Sequence, residues 1–524
     1  MQIQVERLAR SNWSRTEHYI GWQQLEPTRA EEIAEIVKYA LQHGKKVHCK
    51  GKEHHWGPCG ESDEDTLIIK PNMTHISEIE VLEPGKLAQI EVGASVQLET
   101  LNLHLGKTAW ALENMGAIAE QHISALVSTN THGTHPKKGG FATLVQAFEY
   151  VNSRGEIRYC KRGTPSWEEA KYVLGSVGKF GIITRLTMRL VPAFNLEVHE
   201  ELRPNSEVLL QASIDEMVEW ASKEDGYVRW FLLPCSGTGY QRKKDTGSPD
   251  DTVETGYSQV TTWVRTPEQG KGRGWFRTQI EGFVANVLTK KIDRLMDRDF
   301  RDREPDRLHK VVHRMVKFMK FPHSFVGRSD LTLTAEPNMP IKSQVGSHTS
   351  ELYFRVECAE VVIKAVLKKI DHLASIGKCF IWKPMRVRLM AGDQDALCSQ
   401  VYEPQSGTPN VYMTMDIDVY EGQYIGRLEE TLADIRAIAD EAIAAFNQSH
   451  ETEYPLTTFH LGKVPPLVSS EYKTLFCTRP GIQAFKEELT ESGSLVFMHG
   501  RFLRMFGLEE ASESSTMQRE AESQ

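Results

Sequence analysis

Several features that would place a chain at first sight are missing from this one. No apolar run approaches the roughly 20 residues that cross a bilayer, so membrane contact is not expected. The opening residues, MQIQVERLARSNWSR, lack the apolar stretch of a secretory signal, and a cytoplasmic location is expected. Basic residues are not in excess. The formal net charge of -9 argues against nucleic acid, whose phosphates need a basic footprint. The 8 cysteines form no CxxC pair, so neither a zinc knuckle nor a disulfide framework is expected, and reduced thiols are. Repeats and low-complexity tracts are also absent. What remains is an ordinary globular composition, 40% hydrophobic and 25% charged over 524 residues, enough for more than one domain.

Periodicity supplies the elements. Ile33, Ile36, Val37 and Ala40 recur at helical spacing, which predicts a helix within Pro27–His43, stopped at Gly44. Short strands are expected at 46–49 and 66–69, on either side of the loop GKEHHWGPCG, and further strands at 88–92, 147–150, 157–159 and 182–190. A helix is expected near 95–105. Later strands (351–356, 380–390, 410–419) alternate with helices (361–376, 429–446), and the mixture predicts an α+β protein. Residues 238–274 read as exposed loop. Residues 290–320 read as a solvated helix pair, the alternative being a basic amphipathic surface for a membrane or partner. The acidic, serine-rich tail from 509 is expected to be disordered.

The stretch Asn114–Gly133, NMGAIAEQHISALVSTNTHG, organises the rest. Small residues (Gly116, Ala117, Ser128, Gly133) alternate with hydroxyls and amides (Asn130, Thr131) and lead to His132. That pattern suits a backbone pressed against a flat, polar, multi-ring ligand bearing phosphates, and reads as neither core strand nor amphipathic helix.

Five stretches, in order along most of the chain, together resemble the vanillyl-alcohol-oxidase superfamily, in its aldonolactone and alditol oxidase branch. They are Gly51-Lys52-Glu53-His54-His55, QHISALVSTNTHGTH (121–135), LGSVGKFGIITRLTMRLVPAF (174–194, including Ile183), His460-Leu461-Gly462-Lys463, and SGSLVFMHGRFLRMFG (492–507). The resemblance implies a PCMH-type FAD-binding domain over 1–194, a cap with an antiparallel sheet over 195–465, and a segment from 466 returning to the first domain. It implies FAD, bonded covalently through His54 with His55 as rival. It also implies oxidation of a CH–OH group in a sugar-like, lactone or hydroxy-acid substrate, with O2 as acceptor and hydrogen peroxide as product. A dehydrogenase or specialised biosynthetic oxidase of the same fold is the alternative. A flavin-binding protein without turnover is the reading from another class.

The departures bear on chemistry. Glu53 replaces the middle glycine of the family's first loop, and His499 stands where asparagine is usual. Where the family's substrate strand has Glu-x-Arg, this chain has Arg386-Val387-Arg388. Two guanidiniums on one strand face suit an anionic, carboxylate-bearing substrate. With that glutamate gone, proton removal is assigned among Glu351, Tyr412 and His460. Thr414 and Lys463 are placed at the substrate, although Glu351 could equally pair with Arg355. A zinc reading would join His54 and His55 to His132 and His135, and ranks last because Gly133 opposes a helix there. Gly116 either leaves room for oxygen at the flavin or serves a turn that needs positive φ.

Overall fold

The structure, a computed structural model, describes residues 7–234, 236, 253, 255–270, 323–334, 346–381, 383–394, 396, 401–403, 407–421, 424–471, 474, 483, 486–487 and 495–508. The helix pair expected over 290–320 and the tail from 509 lie outside the described residues.

The chain is α+β, with three sheets among the described residues. The first runs in the order Arg7–Ser11, His18–Leu25, Thr66–Ile69, Lys46–Cys49, and its last two pairings are parallel. Helix Ala30–Gln42 buries Ile33, Ile36, Val37 and Ala40 against Val47, Leu67 and Ile69 of this sheet. The apolar stripe is therefore what docks the helix. The second sheet is antiparallel: Glu80–Glu83, Leu87–Gly93, Gly181–Pro192, Val145–Asn152, Ile157–Lys161, with Trp110–Ala111 joined to the long strand 181–192. Residues 495–508 return to this half of the molecule. Val47 N–H donates to Val496 O (2.8 Å), and Phe502, Met505 and Phe506 share a core with Leu126 and Val127.

The third sheet has eight antiparallel strands. Their order is His323–Arg328, Asn195–Pro204, Tyr257–Thr266, Tyr227–Leu232, Met385–Ala391, Val411–Tyr420, Ser347–Arg355, Thr458–Phe459. Helices Ala359–Ser375 and Leu428–His450 cover one face, where Val387, Leu389, Met413, Met415, Leu352 and Phe354 meet Val362, Ile363, Val366 and Leu432. Side chains alternate along a strand, so Arg386, Arg388, Glu351, Thr414 and Asp416 must take the opposite face. That face meets the 114–135 loop: Leu389 N–H donates to Thr134 Oγ1 (3.1 Å), and His135 N–H donates to Leu389 O (2.9 Å).

Three expectations change. Inside the loop that did not read as helix, Ile123–Ser128 is a short helix, because Ile123, Leu126 and Val127 form a buried stripe too brief to stand out as a period. Within 238–274, read as loop, Tyr257–Thr266 is a strand with Val260 and Trp263 buried. The strand expected from 380 begins at Met385, since Pro384 lacks the N–H that a ladder requires.

Candidate active site

Two cavities adjoin along the organising loop. The first, about 910 Å³ of open space, is lined by Gly51, Lys52, Glu53, His54, His55, Ser128 and Ile183, together with His48, Gln121, His122, Ser124 and Thr129. The second, about 590 Å³, is lined by Gly116, Ala117, Thr131 and His132 on one side and by Glu351, Arg386, Arg388, Asp416, His460 and Lys463 on the other. His54, Gln121 and Thr129 border both.

The 51–55 loop keeps an unusual shape. Glu53 has φ +54°, the left-handed region that favours glycine, and ion pairs to Arg10 and to Lys50 (3.3 Å) hold it there. His54 follows, stacked on Trp13 with ring centroids 5.2 Å apart. Its Nδ1 is buried and lacks a hydrogen-bond partner among the described residues, and burial pushes its pKa down to about 4. His55 turns back into the protein against Gly60, its Nδ1 hydrogen-bonding Gly57 O (3.0 Å). Of the two histidines, only His54 also borders the second cavity.

Three residues expected at the cofactor line neither cavity. Asn130, at φ +49°, donates to Asp393 (3.0 Å), and Asn114 donates to Gly139 O (3.4 Å). Gly133 packs so closely on the Asn114 side chain and Met115 O that a β-carbon would collide. These residues shape the loop from behind. Gly116 is not at positive φ, which removes the turn explanation; a β-carbon there would lie 2.9 Å from Thr131 Cγ2 at the cavity wall.

The sheet side of the second cavity is an ion network. Glu351, fully buried, accepts at Oε1 from Arg388 (2.7 Å) and lies 3.1 Å from His132 Nε2. At Oε2 it meets Lys463 Nζ (2.8 Å) and accepts from Tyr353 OH (3.2 Å). A carboxylate has about four lone-pair sites, and all four have a neighbour here. Lys463 and Arg388 hold the Glu351 pKa well below the ordinary carboxylate value, overcoming burial. Glu351 is thus an anchored anion, and its carboxyl is poorly placed as a base. The alternative pairing with Arg355 also fails, since Arg355 pairs with Glu357 (2.7 Å).

Asp416, which the sequence reading missed, is the second anion. It pairs with Arg386 Nε (2.9 Å), Arg388 (3.5 Å) and Lys463. Arg386 and Arg388 therefore do not present two guanidiniums awaiting an anion; each has a carboxylate partner. The signal was available in Tyr412-x-Thr414-x-Asp416-x-Asp418, an unbroken polar face on a buried strand. Tyr412 and Thr414 do not line the cavity: Tyr412 OH donates to Glu403 (3.0 Å), and Thr414 is buried opposite Arg388 in the sheet register.

His460 lines the cavity with its tautomer set. Gly462 N–H donates to its Nδ1 (2.9 Å), so the neutral ring carries its proton on Nε2, and burial pushes its pKa down to about 3. It can donate to a ligand oxygen and is a poor base. His132 and His135 diverge: His132 faces Glu351, whereas His135 Nε2 lies 3.0 Å from Asp225. No cluster of three or more His, Cys, Asp or Glu suited to a metal occurs among the described residues.

A cavity walled by the 51–55 and 121–129 loops, bordered at His54 by a second, charged cavity, suits a cofactor whose reactive ring lies between them. Residues 24–161 match the protein family described as "FAD binding domain". The chain carries an FAD-binding domain. The FAD-domain half and the covering sheet together are similar to solved cholesterol oxidases. A "solvent-stable cholesterol oxidase" superposes with TM-score 0.70 at 15% identity over 97% of this chain and 98% of that one. Cholesterol oxidase from B. sterolicum gives 0.70 at 14% identity over 96% and 97%. At such identities the likeness is one of fold. By sequence, the chain is 31% identical over 209 residues to D-arabinono-1,4-lactone oxidase of Eremothecium gossypii, covering 40% of this chain and 38% of the relative. It is 28% identical over 227 residues to L-gulonolactone oxidase of Bos taurus, covering 43% and 48%. The chain spans less than half the length of these curated relatives. Among the described residues no helix is long and apolar enough to cross a membrane.

Proposed function

We propose that the protein is an FAD-dependent oxidase of a CH–OH group in a small, polar, sugar-like substrate, with a sugar lactone as the leading class. The observation that carries this reading is the second cavity, whose charged wall of Arg388, Lys463, Glu351 and Asp416 faces Gly116, Ala117 and Thr131 across the boundary residue His54. The named activities of the lactone oxidase relatives support it. Polar walls of this kind suit a polyhydroxylated ligand better than a steroid.

Bound FAD would supply the two-electron acceptor and O2 would reoxidise it, giving hydrogen peroxide. The residues of the 51–55 loop, with Ser128, Thr129 and Ile183, would hold it, and His54 is the proposed point of covalent attachment. The chain's own contribution is orientation and charge. His460 donates from Nε2 to a substrate oxygen. Arg388 and Lys463, fixed by Glu351 and Asp416, place positive charge where negative charge develops during oxidation. Arg386 adds a third cation to the cavity lining, paired with Asp416 and near the buried Asp418. Three cations on that lining support, as a second reading, a hydroxy acid whose carboxylate they would meet.

The test is anaerobic mixing of the yellow protein with D-arabinono-1,4-lactone, L-gulonolactone and a panel of hydroxy acids. Bleaching followed by peroxide release in air supports the reading; retained colour with every compound overturns it. Acid precipitation tests the linkage. Colour should stay with the pellet and be lost to the supernatant in His54→Ala but not in His55→Ala. Release from the unsubstituted protein refutes covalent attachment and leaves the cofactor assignment intact.

A further inference from the structure

His132 has more acceptors than a neutral imidazole can serve. Its Nδ1 lies 2.9 Å from Gly133 O and its Nε2 lies 3.1 Å from Glu351 Oε1, both acceptors. A neutral ring carries one N–H, so one of these contacts goes without a proton; the imidazolium satisfies both. The ring is 2% exposed, which makes the missing donor costly. Glu351 already has Arg388, Lys463 and Tyr353 as donors, so the single proton of the neutral ring belongs on Nδ1, toward Gly133 O. Nε2 is then a lone pair held beside the Glu351 carboxylate, and His132 and Glu351 both line the second cavity.

We propose that His132 is the group that takes the substrate's hydroxyl proton, on Nε2, where the incoming proton is caught between the imidazole and Glu351. The inference rests on the CH–OH oxidation proposed above. In that step the O–H bond breaks and its electron pair becomes part of the new C=O bond. The C–H bond also breaks, its hydrogen leaving with both bonding electrons for the bound FAD, the two-electron oxidant, and the hydroxyl proton binds Nε2. The step balances without a further reactant. The protonated ring then donates to Gly133 O and Glu351 together.

The surroundings set how tightly the proton is held. From strand 347–355, Glu351 favours the imidazolium, and the Tyr353 ring lies edge-on at 5.6 Å. Arg386 and Arg388 from 385–391 and Lys463 from the 460–463 turn oppose it. Asp416 from 411–420 offsets part of their charge, and His460 stays neutral. Burial and Arg388 together lower the His132 pKa from its ordinary value, so the resting ring is neutral and ready to accept. Glu351 is held as an anion by Arg388 and Lys463, Asp416 is paired with Arg386 and Lys463, and His460 Nδ1 already accepts from Gly462 N–H, which leaves His132 as the acceptor.

The experiment is NMR of the holoprotein labelled with ¹⁵N in histidine rings, with the His132 signals assigned by their loss in His132→Gln. At pH 8 the resting protein should show one protonated nitrogen, Nδ1. A ring doubly protonated at pH 8, or one protonated on Nε2 alone, overturns the inference. After anaerobic reduction by D-arabinono-1,4-lactone both nitrogens should be protonated; unchanged single protonation overturns it. A lactone that fails to bleach the protein counts against the functional reading, while the resting-state spectrum still decides the state of His132. Kinetically, His132→Gln and His132→Asn should lower kcat by about 10²–10⁴-fold with little change in KM, and the acidic limb of the kcat pH profile should vanish. A kcat within about threefold of the unsubstituted protein, with that limb retained, overturns the assignment.

Discussion

Glu351 and Asp416 lie directly opposite each other on neighbouring antiparallel strands, two buried carboxylates in one cross-strand pair. Like charges so placed repel, and the sheet tolerates them because Lys463 reaches both while Arg388 spans the same pair. Removing one partner leaves the others uncompensated. Glu351→Gln is therefore expected to cost about 3–5 kcal/mol of stability, read as a lower denaturation midpoint. A loss under about 1 kcal/mol would show that the network is not held together by this anion.

Lys463→Met makes a related case with a different readout. Without the ammonium, one carboxylate of the pair should take up a proton near neutral pH, because two adjacent buried carboxylates do not both ionise readily. Infrared difference spectra should show a protonated carboxyl band at pH 7 that the unsubstituted protein lacks. Oxidation of any substrate should also slow.

Asp416→Asn tests the charge balance of the cavity. It removes a partner of Arg386, Arg388 and Lys463 and leaves the wall more positive. KM for a hydroxy acid should fall about tenfold relative to KM for a neutral lactone. An unchanged ratio would mean that these cations do not reach the ligand.

Gly116→Val tests the wall beside the ring site. Even a β-carbon would lie 2.9 Å from Thr131 Cγ2, so the larger side chain must project into the second cavity. Reaction of the reduced protein with oxygen should slow by an order of magnitude or more, measured by stopped flow, with stability changed by less than about 2 kcal/mol. Equal reoxidation rates would remove Gly116 from any role in oxygen access.

Acid should loosen the fold before its carboxylates titrate. His55 and His460 are buried neutral, with pKa values pushed down to about 4 and about 3 from the ordinary 6.5. Between those values the unfolded chain binds protons that the folded one does not, so stability is full above pH 6.5 and declines as pH falls toward 4. Melting curves at pH 7.5, 6 and 5 should show a falling Tm, and His55→Gln should flatten the dependence.

The N-terminal half could be read from sequence because its signals are local. Gly, His and hydroxyl residues must recur at fixed spacing wherever a loop closes on a ligand, and helix 30–42 advertises its buried stripe. The eight-stranded sheet was harder. Its early strands 195–204 and 257–266 carry alternating Glu, His, Thr and Gln that resemble exposed loop until the partner strands are known. The site's chemistry was half visible. Arg386 and Arg388 could be placed on one face by counting, but their partner Asp416 comes from another strand, and pairing across strands is decided by register. The divergence of His132 and His135 was hidden for the same reason, since each is aimed by the element it meets.

The floor of the first cavity has an origin split along the chain. Strand Lys46–Cys49, whose Cys49 and neighbouring Lys50 line that cavity, is hydrogen-bonded at Val47 to Val496, and Lys179 beneath it rests on the ring of Phe502. During synthesis on the ribosome the loop 51–55 emerges well before the wall behind it, which arrives only with residues 496–506. Capture of FAD is thereby coupled to synthesis of residues 496–506, and chains lacking those residues should neither retain the cofactor nor turn yellow.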